Sequence, residues 1–235
     1  MKTLRLLLPG LLLAVLLFSA FRPANTRETR RVEAFTAVSL GGSMRVIVRQ
    51  GSPQLVEVEG DAEDLARLET TVSGGKLRIG TKPQNGMRWS NFKGSVTVYV
   101  TMPIVTGLAV GGSGSLKAAD GIRADNLDLA VSGSGGIDLA SVTADKIHSA
   151  ISGSGSIQMA GVAPRQEVAV SGSGGLRAEK LQTKTCSVRI SGSGNCRVQA
   201  TETLDARIAG SGGVFVSGNP RINSSIAGSG RVHRI

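Results

Sequence analysis

A tetrapeptide of small residues recurs through the second half of this chain at a nearly constant interval. The copies, each Ser-Gly-Ser-Gly or a close variant, begin at Gly111, Ser132, Ser152, Ser171, Ser191, Ala209 and Ala227. Successive copies start 21, 20, 19, 20, 18 and 18 residues apart. A unit of about 20 residues cannot close a hydrophobic core alone, so such units must stack on their neighbours. The repeat therefore predicts an array of stacked coils.

Apolar residues around each tetrapeptide alternate with the two-residue period of a β-strand. An aliphatic residue stands directly before every copy: Val110, Val131, Ile151, Val170, Ile190, Ile208 and Ile226. A second series stands five residues after each copy begins: Leu116, Ile137, Ile157, Leu176, Cys196, Val214 and Val232. The chain has 32 glycines in 235 residues, and glycine suits sharp corners because it adopts positive φ without a steric cost. We therefore predict an all-β fold, a parallel β-helix or solenoid with coils of about 20 residues and Ser-Gly-Ser-Gly turns.

The residues before the repeats divide into two parts. Residues 1–24 have a basic start, a short apolar stretch and a small-residue end, which predicts a secretory signal peptide, with an uncleaved anchor as the alternative. Residues 30–110 alternate less regularly, and we interpret them as irregular, wider coils at the N-terminal end of the solenoid. Within them we expect a short helix capped by Asp61 and an exposed loop over 82–94. With the repetitive coils of 111–235, they form one continuous domain, 30–235.

Four motifs after the predicted signal peptide carry a resemblance to a known family: Phe35-x-x-Val38, Val46-x-Val48-x-Gln50-Gly51, Val56-x-Val58-x-Gly60-Asp61 and Val98-Tyr99-Val100-Thr101-Met102-Pro103. Together with the Ser-Gly turns, they resemble the head GIN domain family over about residues 35–235. That family consists of exported bacterial β-helix proteins described as autotransporter adhesins, with no other assigned function. The resemblance therefore implies adhesion, without implying a ligand.

Two sets of ionisable residues fall at matching positions of successive coils. Asp128, His148 and Glu167 stand four residues before their tetrapeptides, and two acids beside a histidine could form an acid–base trio or a weak metal site. Asp125 and Asp145 stand seven residues before theirs, and paired carboxylates can serve glycoside hydrolysis. Coil spacing separates ligands by more than one metal ion prefers. We interpret both sets as weak candidates on a solvated face, and predict no catalytic residue, cofactor or metal.

Cys186 and Cys196 flank one turn symmetrically, five residues before and five after Ser191. Both occupy positions that face the core in other coils, so each replaces an aliphatic residue. An exported protein meets oxidising conditions, in which the two thiols could pair across the core. The sequence is therefore compatible with two alternatives, a disulfide between these cysteines or two buried free thiols.

Small residues form a strip on the outward face, two positions before the first four tetrapeptides: Ala109, Ala130, Ala150 and Ala169. Such a smooth strip could pack against a second copy of the chain, which makes homo-oligomerisation through this face an expectation. The formal net charge is +10, yet no block of like charge stands out. Aromatic residues are only 3% of the chain, so we expect no nucleic-acid partner, because single strands are bound by stacking on aromatic rings.

These patterns predict an exported, non-enzymatic β-helix protein of the cell envelope that acts as an adhesin or as a surface- or glycan-binding scaffold. The expected location is the periplasm, the outer cell surface or the medium, and the expected partner is a cell-surface or extracellular glycan or protein. The alternative is a polysaccharide-acting β-helix enzyme that uses Asp125, Asp145, Asp128 or His148.

Overall fold

The computed structural model describes residues 26–82 and 92–235, which form twenty strands and one short helix. The predicted signal peptide, and most of the predicted loop over 82–94, lie outside the described residues. In chain order the elements are β1 (Thr26–Arg30), β2 (Ala37–Gly42), β3 (Arg45–Gln50), β4 (Leu55–Gly60), α1 (Ala62–Arg67), β5 (Leu68–Ser73), β6 (Lys76–Thr81), β7 (Thr97–Met102), β8 (Gly107–Gly112), β9 (Ser115–Ala118), β10 (Ile122–Gly133), β11 (Gly136–Gly153), β12 (Ser156–Val162), β13 (Arg165–Gly172), β14 (Gly175–Gln182), β15 (Thr185–Gly192), β16 (Asn195–Gln199), β17 (Thr203–Gly210), β18 (Gly213–Ser217), β19 (Arg221–Gly228) and β20 (Arg231–Arg234).

The repeats stack as parallel coils in two long ladders, one on each side of the Ser-Gly corner. The first ladder runs β2, β8, β10, β11, β13, β15, β17, β19. The second runs β3, β9, β11, β12, β14, β16, β18, β20. Equivalent residues of successive coils lie side by side, as Val131 does with Val110 and Ile151. The predicted parallel β-solenoid with coils of about 20 residues is confirmed.

The corner between the ladders depends on glycine. Gly172 has a φ of 112°, a conformation that side chains other than glycine rarely adopt. A Cβ on Gly172 would lie 2.6 Å from the carbonyl oxygen of Gly153, one coil away. That carbonyl accepts hydrogen bonds from the N–H groups of Ser173 (3.0 Å) and Gly174 (2.8 Å). The repeated glycine therefore lets the backbones of neighbouring corners bond directly.

The inward residues of the coils form one hydrophobic core. The two aliphatic series found in the sequence are buried through most of the stack, as at Val131 and Ile137, each at most 2% exposed. Polar residues interrupt the core in a few coils, and Ser149 and Gln166 are buried where neighbouring coils have aliphatic or thiol side chains. Because the coils stack in parallel, residues that recur once per repeat in the sequence lie next to one another and form continuous columns.

The N-terminal end has a more varied topology than coils alone. Strands β2 and β3 extend the two ladders, and β6 and β7 pair with them in parallel. Beyond these, β5 pairs with β6, and β4 pairs with β7 and β1, all antiparallel. The irregular coils expected for 30–110 thus include antiparallel pairs, because a hairpin-like return buries the same alternating residues as a coil does.

The helix predicted near Asp61 is present as α1. The Asp61 side chain accepts a hydrogen bond from the N–H of Glu63 at 2.9 Å, which caps the first turn. The next acid, Asp64, is fully buried and accepts hydrogen bonds from the N–H groups of Lys93 (3.0 Å) and Gly94 (2.8 Å). Over 26–82 and 92–235, no helix has both the length and the hydropathy that a bilayer-spanning segment needs.

The coil that contains β19 and β20 is more exposed than the coils before it. Strand β19 pairs only with β17, and β20 only with β18, so each has one unpaired edge among the described residues. Ile226 on β19 is 42% exposed, whereas the equivalent Ile208 is 2% exposed. Arg234 donates hydrogen bonds to the Asn219 side chain at 2.8 Å and the Pro220 carbonyl at 3.0 Å. Arg234 thus occupies the position at which the two preceding coils have Val198 and Val216.

Candidate functional site

Asp128, His148 and Glu167 are neighbours on the outward face of the first ladder, as their spacing predicts. Asp128 pairs in register with His148, and His148 with Glu167. One Glu167 oxygen lies 2.8 Å from the Nζ of Lys146, and the other lies 3.7 Å from Nδ1 of His148. The hydrogen bond from Lys146 is the main reason why the pKa of Glu167 is lowered. Glu167 is thus held as a carboxylate, which suits an ion pair rather than a proton donor.

Asp125 and Asp145 are also brought to equivalent positions of adjacent coils. They lie between the registered pairs Ala124 with Ala144 and Asn126 with Lys146. Both aspartates are exposed. An exposed pair differs from the usual glycosidase arrangement, in which burial raises the pKa of one carboxyl so that it can act as the acid.

The described residues do not assemble a metal centre from these acids. Over 26–82 and 92–235, no group of three or more His, Cys, Asp or Glu side chains is arranged to hold a metal ion. Neighbouring coils are about 4.8 Å apart, so side chains in one column do not converge on one ion as zinc ligands do. The column arrangement favours charge pairing along the surface.

Cys186 and Cys196 are buried free thiols on opposite sides of the corner. Cys186 stacks between Gln166 and Leu204 in the first ladder, and Cys196 between Leu176 and Val214 in the second. The Cys186 thiol donates a hydrogen bond to Oε1 of Gln166, with a sulfur–oxygen distance of 3.7 Å. Burial raises the pKa of each thiol to about 12. Both cysteines therefore pack as small apolar residues.

We expect both thiols to remain protonated and unreactive in the folded protein, because burial suppresses the thiolate and blocks access. N-ethylmaleimide should leave the native protein unmodified and add two groups per chain in denaturant, as measured by intact mass. Reductant should leave the mass of the native protein unchanged. A gain of two hydrogens on reduction would instead demonstrate the Cys186–Cys196 disulfide.

The alanine strip forms the floor of an open groove on the first ladder. Ala130, Ala150 and Ala169 line it, and the same column continues as Arg189 and Arg207. The groove has a volume of about 640 Å³ and crosses successive coils. Ala109 extends the column by one coil, in register with Ala130. The small residues thus leave a trough in the surface, while association of two chains through it stays a prediction.

A second cleft lies on the other side of the corner, in the second ladder. It has a volume of about 390 Å³, and its principal side chains are Arg177, Arg197, Asn195 and Phe215. Sequence reasoning did not identify this cleft as a site. The available signal was the outward column in which Arg177, Arg197 and Phe215 follow one another at the repeat interval.

Several crystal structures share this fold. A putative adhesin from Bacteroides fragilis NCTC 9343 has a TM-score of 0.83 and 24% identity, over 91% of this chain and 99% of that one. A structure described as a putative lipid binding protein, from Parabacteroides distasonis ATCC 8503, has a TM-score of 0.75 and 23% identity, over 91% and 98%. A putative adhesin from Parabacteroides merdae ATCC 43184 has a TM-score of 0.73 and 20% identity, over 91% and 97%. At identities of 24% or less, the structural similarity establishes that these proteins share the fold of this chain.

The sequence itself matches a family model. No curated protein matches the chain. The family described as "Putative auto-transporter adhesin, head GIN domain" matches over residues 34–220. That range contains the four N-terminal motifs and most of the Ser-Gly turns, so the resemblance drawn from them is confirmed. The chain belongs to the head GIN domain family.

Proposed function

We propose that this protein is an exported, non-enzymatic solenoid of the cell envelope that binds an extracellular glycan or protein. Residues 1–24, which lie outside the described residues, support export by their sequence pattern. The family name and the names of similar structures describe adhesion or lipid binding, and both are binding functions rather than reactions.

One observation carries the proposal: the two open clefts are each lined by equivalent residues of consecutive coils. An extended ligand can contact such a surface repeatedly, because each coil offers the same backbone geometry to the next part of the ligand. Backbone hydrogen bonds in both ladders fix these residues in place, so little conformational freedom is lost on binding.

The alternative function, cleavage of a polysaccharide, would rest on Asp125 and Asp145. Their equivalent positions in adjacent coils, between the registered pairs Ala124 with Ala144 and Asn126 with Lys146, are the feature that favours it. Against it stand the exposure of both carboxyls and the lowered pKa of Glu167, whose hydrogen bond from Lys146 makes it a poor proton donor to a leaving group. We therefore place binding ahead of catalysis.

Binding and cleavage can be separated with one protein preparation. We expect the purified protein to bind members of an array of acidic and neutral glycans and extracellular proteins, and to release no new reducing ends from the glycans it binds. The variant Asp125→Asn/Asp145→Asn should bind as the wild type does. Release of reducing ends that this variant lacks would establish the enzyme instead. Absence of binding to every glycan and protein would overturn the proposal.

A further inference from the structure

The cleft in the second ladder has the polar character of a ligand site. Its floor is formed partly by Gly155, Gly174 and Gly175, and the hydroxyl-bearing residues Ser154 and Ser173 stand along it. The side chains of Arg177 and Arg197 are exposed on the same ladder. Its volume of about 390 Å³ is within the range of pockets that hold small organic ligands.

The two arginines form a pair of like charges. Arg177 and Arg197 lie directly opposite each other on adjacent strands, where like charges repel and cost stability. Among the described residues, neither guanidinium forms an ion pair with a carboxylate, although Asp138 and Glu179 occupy nearby positions on the surface. An anion placed between the two guanidiniums would relieve this repulsion.

An aromatic stack fixes one of the two arginines. The Arg197 guanidinium carbon lies 5.1 Å from the centre of the Phe215 ring. The His233 ring stacks on Phe215 from the next coil, with centroids 5.3 Å apart. A guanidinium stacked on a ring loses less freedom when it binds an anion. Phe215 is therefore a positioning residue for Arg197.

Glycines flanking Asn195 keep the cleft open beside this stack. Asn195 lies in register between Gly175 and Gly213. A Cβ on Gly213 would lie 2.9 Å from Oδ1 of Asn195 and 3.1 Å from Cε2 of Phe215. The missing side chain thus makes room for both groups. The Asn195 amide, which can donate and accept hydrogen bonds, is exposed at the edge of the cleft.

The geometry points to a binding site for an acidic glycan in this cleft, with a uronic acid carboxylate held between Arg177 and Arg197. Guanidinium groups bind carboxylates through paired hydrogen bonds. Asn195 and the serine hydroxyls of the corner are suited to the sugar hydroxyls, and a pyranose unit is close in length to the separation between coils. This inference rests on the proposed binding function and names the ligand class and the site.

A nucleic acid fits the same cleft poorly. Phe215 lies between Arg197 and His233 in its column, so neither face of its ring is free for a base. Arg165 on β13 and Arg221 on β19 provide an internal control, since both are exposed and neither lines the alanine groove or this cleft.

The test compares two double variants that remove the same charge. Isothermal titration with tetragalacturonate should show at least tenfold weaker binding for Arg177→Ala/Arg197→Ala than for wild type, because both partners of the carboxylate are lost. Arg165→Ala/Arg221→Ala, which removes two exposed arginines that line neither cleft, should stay within threefold of wild type. Arg177→Lys/Arg197→Lys keeps the charge and should still bind more weakly, because paired hydrogen bonds are lost. Thermal unfolding should show that all variants are folded.

Three further ligands test which chemical group the cleft recognises. The methyl-esterified tetragalacturonate should bind at least tenfold more weakly than the free acid, and a neutral tetraglucoside should behave like the ester. Equal losses in the two double-alanine variants would show a general charge effect and overturn the inference. Binding of neutral glycans or of a protein, unchanged in Arg177→Ala/Arg197→Ala, would overturn this site while the proposed function stands. Tighter binding of a sulfated tetrasaccharide than of the carboxylate would overturn the ligand class.

Discussion

Gly172→Ala should lower the free energy of unfolding by about 3 kcal/mol or more, because strain and overpacking act together. The φ of 112° forces the new side chain into a sparsely populated conformation. Its Cβ would also lie 2.6 Å from the carbonyl oxygen of Gly153, which is backbone and cannot rotate away. Urea unfolding followed by circular dichroism measures the change.

Gly80→Ala is the matched control for this substitution. Gly80 lies within β6, and a Cβ built on it has no atom within 4 Å. Its unfolding free energy should therefore change by less than about 1 kcal/mol. If the two variants lost equal stability, the special role of the corner would be disproved.

Asp64→Ala should lower the free energy of unfolding by about 3 kcal/mol, because it leaves two backbone N–H donors without their carboxylate acceptor. The Asp64 carboxylate is fully buried and accepts hydrogen bonds from the N–H groups of Lys93 and Gly94. These bonds tie α1 to the chain just before β7, so their loss should also loosen the N-terminal end of the stack. Thermal unfolding, with hydrogen exchange at Gly94, tests both effects.

Glu63→Ala is the control on the same helix. Glu63 is exposed and pairs with Arg67 at 2.6 Å and with Lys93 at 2.7 Å. Exposed ion pairs contribute little to stability, so Glu63→Ala should lower the free energy of unfolding by less than about 1 kcal/mol. A loss as large as that of Asp64→Ala would show that surface pairing, rather than the buried carboxylate, stabilises this region.

The solenoid could be predicted because two separate positions in every repeat carry residues that face the core. The residue before each tetrapeptide and the residue five positions after its start keep the same character through the repeats, as at Ile151 and Ile157. A wrong register would expose one of these series. The inward placement of Cys186 and Cys196 followed from the same alternation.

The N-terminal topology could not be predicted in the same way. Alternation in β4 and β7, as at Val56 and Val100, is satisfied equally by parallel and antiparallel partners. The burial of Asp64 depends on a contact with residues about 30 positions later, which no local pattern encodes. The candidate site was missed because a cleft forms where small residues lie beside larger ones in space. Gly175 and Gly213 contribute to it only because Asn195 and Phe215 lie next to them in the fold.

The ladder also determines how the molecule can change in length. Each repeat bonds only to the coil before it and the coil after it, as β13 does with β11 and β15. Duplication or loss of one whole repeat would therefore leave every remaining junction intact and move the far end by about 4.8 Å. The length of the solenoid can thus change in steps of one coil, while each face keeps the same kinds of side chain.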